Sequence, residues 1–201
     1  MKLNFAKLIV LTLITAVLLL PFVFSPQYID ILREDHFDIH ALLQGEMYKQ
    51  ITGYISLLFV LIEMVLTARK RGRGWPIKIT IPGSMMLWRT LHIILGVAVL
   101  ASTLVHTVGV QGLNYNAIFL WVFFGVTLSA LIGVVAETGI LESPRRYFGW
   151  QAADGPDAIA TLYKGPLIRN LRSLWLATHI ILVSIFLVML VGHIFLAYYF
   201  R

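Results

Sequence analysis

The sequence predicts an all-α integral membrane protein, a helical bundle that crosses the bilayer five times with its N-terminus in the cytoplasm and its C-terminus outside. Three observations carry this reading. Of 201 residues, 59% are hydrophobic and 13% charged, and the mean hydropathy is +0.83, too apolar for a soluble domain of this length. A hydrocarbon core about 30 Å thick needs about 20 apolar residues per helix, and five stretches qualify: about 7–24, 50–68, 88–110, 116–137 and 174–197. The basic residues are also one-sided. With the first span running outward, Lys2, Lys7, six residues from Arg69 to Arg89 and five from Arg145 to Arg172 share one side, against Arg33, Lys49 and Arg201 on the other. This is the positive-inside pattern.

The whole chain, 1–201, therefore reads as a single transmembrane domain with little polypeptide outside the lipid, expected in a bacterial cytoplasmic membrane. Its net charge of +6 is topological, so membrane lipid and not nucleic acid is the expected partner. There is no cysteine, which excludes disulfides, thiolate-bound iron–sulfur clusters and covalent haem attachment through C-x-x-C-H.

Each span has its own boundary signals. Met1–Phe24 has the basic start and apolar middle of a secretory signal peptide. Its apolar run is long, however, and no small-x-small site follows, so a retained signal anchor is expected, closed by Pro21 and Pro26. The acidic stretch "DILREDHFDIH" then falls outside. "RKRGRGWP" ends the second span, and "GVQGLNYN" turns the third into the fourth. The connection 139–173 is expected as a cytoplasmic loop, too long for a simple turn. Within it, "DGPDAIATLY" offers Asp154 and Pro156 as the start of a short surface helix. The closing "AYYFR" supplies interfacial aromatics.

The third and fifth spans resemble one another. Residues 87–110 and 174–197 align without a gap and share Leu87/Leu174, Trp88/Trp175, the run His92–Leu95 with His179–Leu182, Leu100/Leu187 and His106/His193. Fourteen helical residues rise about 21 Å and come within about 40° of four whole turns. The two histidines of each span therefore face nearly the same way, one near each membrane surface. Because one span separates them, the two segments run in the same direction, which brings His92 level with His179 and His106 level with His193. Facing imidazoles at two depths suit two six-coordinate b-type haems, each held through two axial nitrogens. An isolated intramembrane histidine more commonly bonds a neighbouring helix or faces a polar cavity; four at matched depths favour ligation.

Other residues carry weaker signals. Arg89, Arg169 and Arg172 lie at the inner boundary and are candidate partners for haem propionates, although the positive-inside pattern also explains them. Gly96, Gly109 and Gly192 lie near the histidines, where a macrocycle must approach the backbone or where helices simply pack. Trp88 and Trp175 read as an interfacial belt. Glu63 and Glu137 suit a proton path or quinone site, with snorkelling to the interface as the expected role. His36 and His40 have a metal-compatible spacing but are expected in a solvated outer loop.

At its histidines the chain resembles the ferric-reductase-like transmembrane family, which includes the membrane domain of NADPH oxidases. The resemblance covers about Tyr48 to Tyr199 and rests on "WRTLHIILGVAVLASTLVH" with the paired histidines. It implies that His92, His106, His179 and His193 are the axial ligands of two haem b groups and that electrons cross the bilayer through them. Complete reductases of that family continue into a cytoplasmic flavin and nicotinamide domain. Here the chain ends at Arg201 and contains no dinucleotide-binding glycine pattern.

The leading expectation is thus a di-haem cytochrome b acting as an electron-transfer subunit, with an outer-side cytochrome or a cytoplasmic dehydrogenase as partner. A quinone-reactive membrane anchor of a dehydrogenase or reductase is the alternative. A transporter or assembly factor would need inverted, broken repeats, and the related segments here are parallel and uninterrupted.

Overall fold

A computed structural model describes residues 3–71, 81–108, 113–148 and 162–199. The protein is all-helical. Among the described residues seven helices follow in order: α1 (Phe5–Val23), α2 (Ser25–Asp35), α3 (Phe37–Gln44), α4 (Glu46–Arg71), α5 (Met85–His106), α6 (Tyr115–Glu142) and α7 (Lys164–Tyr199). Two short strands, β1 (Tyr147–Phe148) and β2 (Leu162–Tyr163), pair antiparallel with Tyr147 opposite Tyr163. Helices α1, α4, α5, α6 and α7 are each long and apolar enough to cross a membrane. Large apolar side chains such as Ile51, Leu58, Ile132, Ile181 and Val188 stand exposed along them, as lipid-facing positions require.

The helix ends follow local chemistry. Pro21 does not close α1, which continues through Val23; so close to the end, a missing amide disturbs little. Pro26 opens α2 instead, at a position whose amide has no intrahelical partner. Ser84 caps α5 by accepting from the Leu87 amide at 3.1 Å, and Asn114 does the same for Ala117 at 2.9 Å ahead of α6. The ammonium of Lys164 donates to the carbonyls of Leu141 at 2.9 Å and Ser143 at 2.8 Å, a cation placed on the C-terminal carbonyls of α6.

The segment expected as loop 139–173 is shorter in the fold, because α6 runs to Glu142 and α7 starts at Lys164. Arg169 and Arg172 are therefore helical. The short helix expected from Asp154 lies outside the described residues, apart from Leu162 and Tyr163, which form β2.

The chain packs as two compact units. The first lies within Val10–Ile118 and contains α4 and α5; the second joins Asn4–Ile9 to Phe119 and the residues beyond it, with most of α6 and all of α7. In the first unit, α4 and α5 run antiparallel: Thr52 meets His106, Ser56 meets Ser102, and Arg69 meets Met85. In the second, α6 and α7 do likewise: Phe119 meets His193, Ser129 meets His179, and Glu137 meets Arg172. Helix α6 is apolar all round and contributes much of the buried core through Leu120, Phe123, Phe124, Leu131 and Val134.

Candidate functional site: four buttressed histidines

Each unit carries two of the four histidines, and the helix that precedes them in the chain supports both. In the first unit, His92 and His106 on α5 both meet α4, as the fourteen-residue spacing requires. His106 Nδ1 lies 3.0 Å from the Thr52 hydroxyl, and the Thr52 hydroxyl also donates to its own helix, to the Tyr48 carbonyl at 2.7 Å. Gly53 lets the ring approach the helix: a Cβ there would stand 3.1 Å from His106 Cε1, tighter than ordinary van der Waals contact. At the other end of α5, His92 Nδ1 pairs with the Glu63 carboxylate.

The last turn of α5 is pinned as well. Lys49 donates to the carbonyls of His106 at 3.0 Å and Val108 at 2.9 Å. Tyr48 donates to Val105 at 2.9 Å, and Gln44 to Val108 at 3.0 Å. A helix C-terminus leaves carbonyls without intrahelical donors, and Gln44 of α3 with Tyr48 and Lys49 of α4 supply them. His106 is therefore fixed both through its ring and through its backbone.

The second unit repeats the arrangement with different residues. His179 Nδ1 lies 3.1 Å from the Ser129 hydroxyl on α6. The His193 ring stacks on Phe119, with centroids 5.4 Å apart and planes at 28°. Trp175, one turn before His179, lies against the α6 backbone at Gly133, where a Cβ would come within 2.5 Å of the indole. Only glycine admits that approach. The Trp175 ring is thus packed on α6, a more specific role than the interfacial belt expected for it.

An imidazole whose Nδ1 is engaged by a hydroxyl or carboxylate is held in orientation, with Nε2 left to face a ligand. His92, His106 and His179 have this arrangement. Gly96, one turn beyond His92, is not in close packing: a Cβ there would meet no heavy atom within 4 Å. As a donor set, imidazoles buttressed at Nδ1 fit haem.

The carboxylates depart from expectation. Glu137 does not snorkel: its side chain is 1% exposed and is held by Arg172, whose Nε donates at 3.0 Å. Glu63 is 12% exposed and meets His92. Burial makes both carboxylates seek partners inside the protein. Arg89 and Arg169 are exposed, as is Arg172 beyond its contact with Glu137. His36 separates α2 from α3 and His40 lies on α3; among the described residues, no three His, Cys, Asp or Glu side chains gather as a metal-ion site.

Thr52, Gly53 and Ser129 carried no signal in the sequence beyond being small or polar residues within apolar spans. A helical net of two adjoining spans, aligned in antiparallel register on the histidines, is the pattern that would have selected them. Comparisons with protein-family models, with curated proteins and with solved structures returned no match for the chain.

Proposed function

We propose that the chain is a di-haem b-type membrane cytochrome that relays electrons across the bilayer as a subunit of a larger redox system. The observation that carries the reading is the shared construction of the two units: in each, the helix preceding the histidine helix supplies side chains that orient the imidazoles. Such orienting partners typify metal-ligating histidines. His92 with His179, and His106 with His193, would supply the axial nitrogens. When bound, haem supplies a one-electron couple that the side chains lack. The chain's own work is to hold His92, His106 and His179 at Nδ1 and the His193 ring on Phe119, keep water out with apolar spans, and offer Arg89 and Arg169 to the propionates, Arg172 being held by Glu137. The positive-inside pattern sets the His92 end on the cytoplasmic side. The bacterial cytoplasmic membrane remains the proposed location.

The test is a haemochrome assay on protein purified from haem-supplied cells. Two haem b per chain are expected, with one remaining in His106→Ala. A colourless, iron-free preparation refutes the reading, and unchanged haem content in His106→Ala refutes the ligand assignment.

A quinone-reactive role draws on a different observation. An open depression on the first unit is lined by Pro21, Tyr28, Tyr48, Leu104, Val105 and Val108, mostly apolar with two phenols. It adjoins the C-terminal turn of α5, beside His106. Reduction of the purified cytochrome by a quinol analogue, weakened in a Leu104→Trp variant, is the expected result. Failure with several quinols at full haem content counts against it.

A further inference from the structure

The groups that orient the histidines are not equivalent. Thr52 and Ser129 bring neutral hydroxyls to His106 and His179, and Phe119 brings an aromatic face to His193, whereas Glu63 brings a carboxylate to His92. We propose that Glu63 makes the His92 end the lower-potential of the two redox sites, so that electrons reside preferentially at the His106 end; this rests on the haem reading above.

The physical argument concerns His92 alone. A carboxylate placed against Nδ1 favours the proton on that nitrogen and leaves more electron density on Nε2. A more basic axial nitrogen stabilises ferric over ferrous iron, which lowers the midpoint. A hydroxyl polarises the ring much less, because it carries no formal charge.

Placement strengthens the effect. The Glu63 side chain is 12% exposed, and its second oxygen, Oε1, is buried with no hydrogen-bond partner among the described residues. Little water screens the charge, and in a low-dielectric setting its field on the adjacent ring is strong. Arg69, six residues further along α4, directs its guanidinium to the Met85 sulfur and the Gly83 carbonyl. The gradient is therefore built into the first unit by one side chain, and it favours electron transfer from the His92 end toward the His106 end.

Potentiometric titration of the purified cytochrome, read at the haem absorbance, tests this. Glu63→Gln keeps the shape and the acceptor but removes the charge. It is expected to shift the ferric-to-ferrous equilibrium of the lower couple at least tenfold toward ferrous, a rise of about 59 mV for one electron. The upper couple should stay in place, and Thr52→Val should move the upper couple by less than that. Two haems with both midpoints unchanged in Glu63→Gln overturn the inference and leave the haem reading standing; a haem-free wild-type preparation overturns the reading itself. Should Glu63→Gln not retain haem, His106→Ala decides instead. Its remaining haem, at the His92 end, must titrate as the lower couple, and a remaining upper couple overturns the inference.

Discussion

The pair formed by Glu137 and Arg172 makes an asymmetric prediction about stability. The Glu137 side chain is 1% exposed and the Arg172 side chain 52%, so the two halves of the pair are not equally replaceable. In Arg172→Met, a deeply buried carboxylate loses its guanidinium. Breaking a buried pair by removing one partner costs about 3–5 kcal/mol. Because about half of the Arg172 side chain is exposed, some of its attraction is already screened, and we discount the expected loss to about 2–4 kcal/mol. In Glu137→Leu, the remaining arginine can turn outward, and the leucine is compatible with its apolar surroundings, so a loss of about 0–1 kcal/mol is expected. The double variant should resemble Glu137→Leu and fall well short of the sum of the two losses. The assay is SDS titration in mixed micelles, followed by circular dichroism. Equal losses in the two single variants, or a loss below about 1 kcal/mol for Arg172→Met, would refute the argument that burial sets the cost.

Three further predictions use the same preparation. Gly133→Ala places a Cβ within 2.5 Å of the Trp175 ring, whereas Gly96→Ala meets nothing; since both gain the same helix propensity, Gly133→Ala should be the less stable by about 1–3 kcal/mol, with equal SDS midpoints arguing against the packing. Lys49→Met removes a cation from two carbonyls at the end of α5, while Tyr48 and Gln44 still donate there. A loss of about 1–2 kcal/mol is expected, with faster amide exchange in the last turn of α5 and none of that acceleration in α7. If the proposed haem reading holds, Ser129→Ala frees His179 to rotate, and haem retention at one site should weaken about 10- to 100-fold, measured by transfer to apomyoglobin. Retention equal to wild type would show that the hydroxyl does not orient the ligand.

Much of the architecture is legible in the residues themselves. Five apolar runs define five long helices because lipid offers backbone amides no partner other than their own helix. The fourteen-residue histidine spacing predicts a common face, and both histidines of each pair do meet one neighbouring helix. Boundaries are less legible where the pattern is amphipathic: Lys164 to Ser173 is too polar for a span and was expected as loop, yet it continues α7 because a helix satisfies its own backbone beyond the apolar run.

The sequence by itself determined which segments are apolar enough to enter lipid as helices and which histidines share a face, since both follow from local composition and the helical period. Tertiary structure alone decided what each imidazole leans on: Thr52, Glu63, Ser129 and Phe119 are brought to the histidines by antiparallel register between neighbouring helices. It also decided that Glu137 is buried with Arg172 instead of reaching for the interface. Contacts between residues about 30 to 75 positions apart depend on how two helices rotate and slide against each other, and the packing of glycines such as Gly53 and Gly133 under bulky rings sets that register.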